Sequence, residues 1–259
     1  MVKKEEIVGG RNPFDMKIWD RIEKVVEEKG HSLRQVLESF PIYVRRVNLS
    51  RFIMLYELFK KIVEIPGSIV ECGVFRGSSL LTWAKLLEIF CPGDRERRVI
   101  GFDNFAGFTE FVQQDGPSLP IRSKVVGGWS AEDYYDELLK HLQIFKDDSF
   151  LSRAPNRIEL VVGNIEKTAH EYLKNNSGLR ICLLNIDCDM YKPTKAALDA
   201  FYPLVITGGI IILDDYGVPE WAGESAAFDE YFAEKGEKAP KLKTLPYFSA
   251  PTSYFIKGE

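Results

Sequence analysis

Five short runs of apolar, mostly β-branched residues recur along the chain: SIVEC (68–72), RVIGFD (98–103), RIELVVG (157–163), RICLLNID (180–187) and GIIILDD (209–215). A strand with one face in water alternates apolar and polar letters. These runs are apolar on both faces, so both faces need cover. Segments with helical apolar spacing at 78–90, 165–175 and 193–203 supply it. The alternation predicts an α/β fold with a parallel sheet covered on both sides. Two further strand-like pieces, KLKTLPY (241–247) and TSYFIKG (252–258), are joined by a turn containing Ser249 and Pro251. They predict an antiparallel pair at one edge and bring the strand count to seven.

Two helices precede the sheet. Residues 14–29 carry apolar letters at helical spacing and stop at Gly30, a natural C-cap. Residues 49–64 place Phe52, Leu55, Tyr56, Phe59, Ile62 and Val63 on one face, with Asn48 as the expected N-cap. The organisation predicted is a helical extension or lid over 1–66 and one α/β domain over 67–259. At 259 residues, 45% of them hydrophobic, the chain is long enough to bury the core such a domain needs. Between Asp103 and Arg157 the rhythm breaks, and an insertion of about 104–156 replaces a short βα connection. It contains NFAGFTEF, QQDGPSLP and a predicted helix over 131–145. An insertion beside a sheet's C-terminal edge serves as a lid or substrate wall, or as a surface decoration or oligomer contact; both roles stay open.

Composition excludes some functions. A net charge of −4 argues against a general nucleic-acid binder, and the one basic cluster, YVRRVNLSR (43–51), reads as a solvated face. The opening MVKKEEIVGG has no apolar core after its lysines, and no stretch approaches 18 apolar residues, so neither a signal peptide nor a membrane span is expected. Cys72, Cys91, Cys182 and Cys188 lack CxxC or disulfide-like spacing, which suits a reduced, cytoplasmic protein.

The loop after the first strand reads Glu71-Cys72-Gly73-Val74-Phe75-Arg76-Gly77-Ser78, then helix. Its E-x-G-x-x-x-G spacing differs from the G-x-G-x-x-G of dinucleotide binders, and an acid at the strand end is a poor neighbour for a pyrophosphate. It suits a ligand with a cationic amino group, such as S-adenosylmethionine (SAM). Asp103 ends the second strand, where an acid accepts hydrogen bonds from ribose hydroxyls. Gly73 and Gly77 also have a purely structural reading, close strand–helix packing. Asn164 after the third strand has two roles open, adenine contact with Ile165 packing on the ring, or N-cap of the next helix.

Two apolar runs end in paired acids, Asp187-Cys188-Asp189 and Asp214-Asp215. Ligands of open α/β sheets bind outside the strands' carboxyl ends, so neighbouring fourth and fifth strands would bring Asp187, Asp214 and Asp215 together. Three close carboxylates repel unless a cation sits among them. Hard oxygen ligands fit Mg²⁺, Mn²⁺ or Ca²⁺, not zinc, since His31, His141 and His170 form no metal motif. Asp189, one alternation further out, would face the same way as Asp187, with Tyr191 as a second helper.

The stretches IPGSIVECGVFRGSS (65–79), GFDNFAGF (101–108) and LLNIDCDMYKPTKAALDAFYPLVITGGIIILDDYG (183–217) resemble the macrocin O-methyltransferase (TylF-type) family of metal- and SAM-dependent sugar O-methyltransferases. The long insertion and PEWAGE (219–224) are similar to its calicheamicin-pathway members. The resemblance implies a class I SAM-dependent methyltransferase (Rossmann-like) fold, with Glu71, Gly73 and Asp103 on SAM-binding positions; the loop and turn read above add Gly77, Ser78, Asn164 and Ile165. It implies Mg²⁺ (or Mn²⁺) on Asp187, Asp214 and Asp215, a sugar-containing acceptor and a homo-oligomer, and the acid pair gives Asp187 and Asp189 as the catalytic candidates. The chain departs from the family at Gly163-Asn164-Ile165, where a G-W-F is usual. One rival is a metal-dependent glycosyltransferase using the D-x-D at 187–189, which leaves the second acid pair and the glycine loop without a role. An NAD(P)-dependent oxidoreductase and a catalytically dead SAM-fold subunit are the others.

Overall fold

A computed structural model describes residues 13–119, 123–149, 156–245 and 250–259. Four helices come first, α1 (Pro13–Lys29), α2 (Leu33–Glu38), α3 (Phe40–Tyr43) and α4 (Arg46–Lys60). There follow β1 (Ser68–Cys72), α5 (Ser78–Phe90), β2 (Val99–Asp103), α6 (Glu132–Asp148), β3 (Ile158–Val162) and α7 (Ile165–Asn175). The chain continues through β4 (Ile181–Ile186), α8 (Tyr191–Phe201), β5 (Val205–Leu213), α9 (Ala222–Glu234) and β6 (Ser253–Ile256). The sheet order is β3-β2-β1-β4-β5-β6, parallel from β3 to β5, with β6 antiparallel to β5. The order reverses between β1 and β4, which opens a crevice at their carboxyl ends.

Alternation along the strands sends residues into two cores. Val70, Cys72, Ile100, Phe102, Leu184 and Ile211 pack under α7, α8 and α9, whereas Ile69, Val99, Leu183, Ile210 and Ile212 pack under α4 and α5. Every residue of β1 and β4 is buried, as their unbroken apolar runs require. All four cysteines are free.

The sheet has six strands among the described residues, not seven. The segment expected as a seventh meets β6 at a single bridge, Lys243 to Tyr254. It lies between Pro240 and Pro246, and neither can donate a ladder hydrogen bond. The expected turn residue Ser249 lies outside the described residues, as does the MVKKEEIVGG segment. Helix α4 begins earlier than its apolar letters suggest: Arg45 is the N-cap and Asn48 is inside the helix. The extended backbone at Val44 and Arg45 separates α3 from α4 and sets this start. The buried stripe is therefore Met54, Leu55, Leu58, Phe59 and Ile62, and Phe52 is exposed.

A charged pair anchors the far side of the sheet. Arg157 Nε donates to Glu88 Oε1 at 2.7 Å, and both side chains are about nine-tenths buried. Breaking one partner of a buried pair strands the other charge. Glu88→Ala should cost about 3 kcal/mol, the low end for such pairs because Arg157 also donates to the Asp94 carbonyl at 2.8 Å. A lower urea midpoint at unchanged slope would register it.

Candidate active site

The carboxyl ends of β1 to β5 open into a cavity of about 530 Å³. One side is lined by Gly73, Ser78, Asp103, Asn164 and Ile165, the other by Asp187, Asp189, Asp214 and Asp215. The insertion supplies part of the wall through Asn104, Gly107–Glu110, Asp115 and Trp129.

The glycine loop takes its shape from one acid. Asp103 Oδ2 accepts from the Val74 and Phe75 amides, each at 2.7 Å, and Oδ1 accepts from the Phe105 amide at 2.7 Å. A carboxylate has about four acceptor positions, so one remains for a ligand. Gly73 sits at φ +92, and a Cβ there would stand 1.8 Å from the Asp187 carbonyl oxygen. Only glycine lets β1 and β4 come this close.

Two residues assigned to the cofactor do not line the cavity. Gly77 is the left-handed N-cap of α5, and a Cβ on it would lie 2.4 Å from Leu138 Cδ1, so it serves α5–α6 packing. Glu71 points to the same sheet face as Ile69 and is fully buried beneath α5. There it accepts from Ser79 Oγ and Trp83 Nε1, both at 2.9 Å. Burial pushes its carboxyl up to about 7 against the opposing pull of those two donors. Asn164 is the N-cap of α7, its side chain accepting from the Glu166 amide, and it also lines the cavity.

The acids converge as the sheet order requires. One carboxylate oxygen each from Asp187, Asp214 and Asp215 lies within 4.8 Å of the others. Burial, then the Asp214 charge, pushes Asp187 well above the usual carboxylate range. Asp215 rises to about 6, chiefly through burial. Asp189 holds a left-handed backbone at φ 59, and burial and Asp215 raise its carboxyl well above the usual range. Asp214 Oδ1 is buried without a hydrogen bond. Three hard oxygen donors this close, one of them buried, fit a divalent cation.

Six contributors escape a sequence reading. Arg51, in the cluster read as a solvated face, lies with Nη2 3.2 Å from both Asp187 Oδ2 and Asp214 Oδ1. Glu224, on a helix that no clear apolar period announces, is fully buried, and its Oε1 accepts from the Asp215 amide at 2.9 Å. Asp115 fastens the insertion to the loop after β4: Oδ1 accepts from the Tyr191 amide at 2.7 Å and Oδ2 from the Val112 amide at 2.8 Å. Lys124 Nζ ties the same knot by donating to the carbonyls of Asp115 and Glu220. Phe108 and Trp221, rings 5.6 Å apart, stand on the cavity wall. Tyr191 is not a helper, because its hydroxyl turns away to donate to Glu230 on α9.

Known proteins resemble this chain in sequence and fold. The chain is 26% identical over 155 residues to an 8-demethyl-8-(2,3-dimethoxy-α-L-rhamnosyl)-tetracenomycin-C 4′-O-methyltransferase of Streptomyces olivaceus, a match covering 60% of this chain and 54% of that one. It is 26% identical over 155 residues to a mycinamicin III 3″-O-methyltransferase of Micromonospora griseorubida, covering 60% and 57%. The chain thus spans little more than half the length of these curated relatives. A crystal structure of CalS11, a calicheamicin methyltransferase, superimposes with a TM-score of 0.86 at 27% identity, over 96% of this chain and 94% of that one. An apo structure of CalS11, described as a TDP-rhamnose 3′-O-methyltransferase, gives 0.77 at 27% identity, over 96% of both chains. The fold is that of the class I SAM-dependent methyltransferases. The sequence pattern of the methyltransferase-domain family runs from 70 to 216, from within β1 to just past Asp214 and Asp215, and the chain belongs to that family.

Proposed function

We propose that the protein is a SAM-dependent O-methyltransferase acting on a sugar hydroxyl, with the sugar carried on a nucleotide or a natural product, and that Asp187, Asp214 and Asp215 hold Mg²⁺ or Mn²⁺. The observation that carries this reading is the single cavity in which the glycine loop and Asp103 face the three acids. Sugar O-methyltransferases among the relatives support the acceptor class.

When bound, SAM supplies the methyl group: its S–CH₃ bond breaks with the electron pair going to sulfur, and an O–CH₃ bond forms. A divalent ion, when bound, lowers the pKa of a hydroxyl beside it. The chain's own residues do the rest. Asp103 keeps one acceptor position for a ribose hydroxyl, and Asn164 and Ile165 flank the adenine. Asp189, which lines the cavity beside Asp187 and whose carboxyl burial and Asp215 raise above the usual range, takes the acceptor's proton. Asp115 and Lys124 hold the insertion over the loop that carries Asp189, and Phe108 and Trp221 offer an apolar face for the sugar.

The 1–66 extension precedes a 67–259 SAM-binding domain in a cytoplasmic homo-oligomer; α4 belongs to that domain's core, so the lid role falls to α1, α2 and α3. Neither nucleic acid nor membrane is a partner, in keeping with a net charge of −4. No described helix is long and apolar enough to cross a membrane. The glycosyltransferase alternative leaves Asp103 and the glycine loop without a ligand.

Calorimetric titration with S-adenosylhomocysteine, with and without Mg²⁺, followed by a methyl-transfer assay on TDP-rhamnose, tests the reading. Micromolar binding of S-adenosylhomocysteine and Mg²⁺-dependent methylation are expected. Binding of the sugar nucleotide only with Mg²⁺, and none of S-adenosylhomocysteine, would move the protein to the glycosyltransferases.

A further inference from the structure

We infer that Arg51 is an exchangeable occupant of the acidic site: its guanidinium and a divalent cation compete for Asp187 and Asp214, so loading the ion displaces Arg51 and loosens α4 from the sheet's carboxyl edge. The inference rests on the cation reading above. It makes the N-terminal helices respond to the state of the site.

Geometry supports competition over coexistence. A single nitrogen, Nη2, stands 3.2 Å from Asp187 Oδ2 and 3.2 Å from Asp214 Oδ1, between oxygens of two of the acids that would hold the ion. The Asp187 contact is a hydrogen bond, and the Asp214 contact is an ion pair of the same length, so the guanidinium is shared between the two acids. A guanidinium and a dication a few ångströms apart repel strongly in a half-buried site, so both cannot sit between these acids.

Arg51 is also free to leave. Besides the acids, it is held by one long hydrogen bond, Nη1 to the Ala250 carbonyl at 3.4 Å. Its side chain is 32% exposed and lines the cavity, which gives the guanidinium water to swing into. Without the ion, Arg51 would keep three mutually repelling carboxylates assembled. With it, two positive charges replace one, which better matches three acids.

Mn²⁺ titrated calorimetrically into the wild type, Arg51→Met and Arg51→Lys tests this, with S-adenosylhomocysteine titrated as the fold control. Arg51→Met should bind Mn²⁺ about tenfold or more tightly than the wild type. Mn²⁺ should also raise its thermal midpoint by more. Arg51→Lys, which keeps the charge but loses the rigid fork, should fall between, and it carries the comparison if Arg51→Met does not fold. In the wild type, Mn²⁺ should speed amide exchange in α4, and in Arg51→Met it should not. Equal or weaker Mn²⁺ binding by the variants overturns the inference. Tighter binding with no change in wild-type α4 exchange overturns it too, since Arg51 would then be a fixed, repelling neighbour. If all three proteins bind S-adenosylhomocysteine and none binds Mn²⁺, the cation site falls and the inference with it. If Mn²⁺ binds and S-adenosylhomocysteine does not, the methyltransferase reading fails instead.

Discussion

Asp214→Ala should lower methyl transfer by roughly 10³-fold or more while leaving the affinity for S-adenosylhomocysteine within about threefold. The two effects separate because the cavity is divided. The loop at Gly73–Ser78, Asp103 and the Asn164 turn come from β1, β2 and β3, whereas Asp187, Asp214 and Asp215 come from β4 and β5. Asp214 is 6% exposed, and its removal costs the ion pair to Arg51, which keeps Asp187, while it relieves crowding among the acids. Asp187→Ala should behave alike, and Mn²⁺ binding should vanish in both. Asp189→Asn should instead keep Mn²⁺ binding and lose about 10²- to 10⁴-fold in kcat, the range for a missing general base. Calorimetry and steady-state kinetics on the three variants separate the roles. Equal loss of S-adenosylhomocysteine affinity in the Asp187 and Asp214 variants would sink the cation assignment.

The second large effect lies at the closest backbone approach in the site. Gly73→Ala should destabilise the protein by about 3 kcal/mol or more, from overpacking plus left-handed strain. The added Cβ would meet the Asp187 carbonyl oxygen at 1.8 Å, and neither partner is a side chain that can swing away. Relief means parting β1 from β4 where the Asp187 amide donates to the Cys72 carbonyl at 2.8 Å, and this shifts Asp187 away from the other acids. Gly217→Ala is the control. Gly217 has a similar φ of +80 with nothing within 4 Å of the new Cβ, so it should cost only about 1 kcal/mol of conformational strain. For a chain of this size the difference is worth roughly 4–8 °C in thermal midpoint. Closely matching midpoints for the two variants would show that the contact across the crevice is not as tight as described.

Much of the fold is legible in the amino-acid sequence. α5 and α7 occupy the residues expected of them, and β1 spans Ser68–Cys72 as read. Their signals are local: a buried strand is a short apolar run, and a helix is a period with punctuation such as the Gly77 and Asn164 caps. α9 is hidden in the sequence because AGESAAFDEYFAE mixes small, acidic and aromatic residues with little one-sided period, and most of its burial is set by packing against α8. Among the described residues the seventh strand is reduced to one bridge for a reason also written in the chain, two prolines six residues apart, which a reading by strand propensity alone overlooks.

The chain's letters by themselves determined the alternation of strands and helices, the acids at the strand ends and the glycines between them, because each depends on neighbours a few residues away. Tertiary structure alone decided what those groups face. Glu71 serves α5 and not a ligand, since the strand's pleat points it under the helix. Asp103 shapes the glycine loop, Asp115 holds the insertion, and Arg51 meets Asp187 across 136 positions of sequence. No local period records such a meeting. It follows from where the sheet order and the helix packing bring two distant segments, and there a residue that reads as a solvated cation becomes the counter-charge of a buried acidic site.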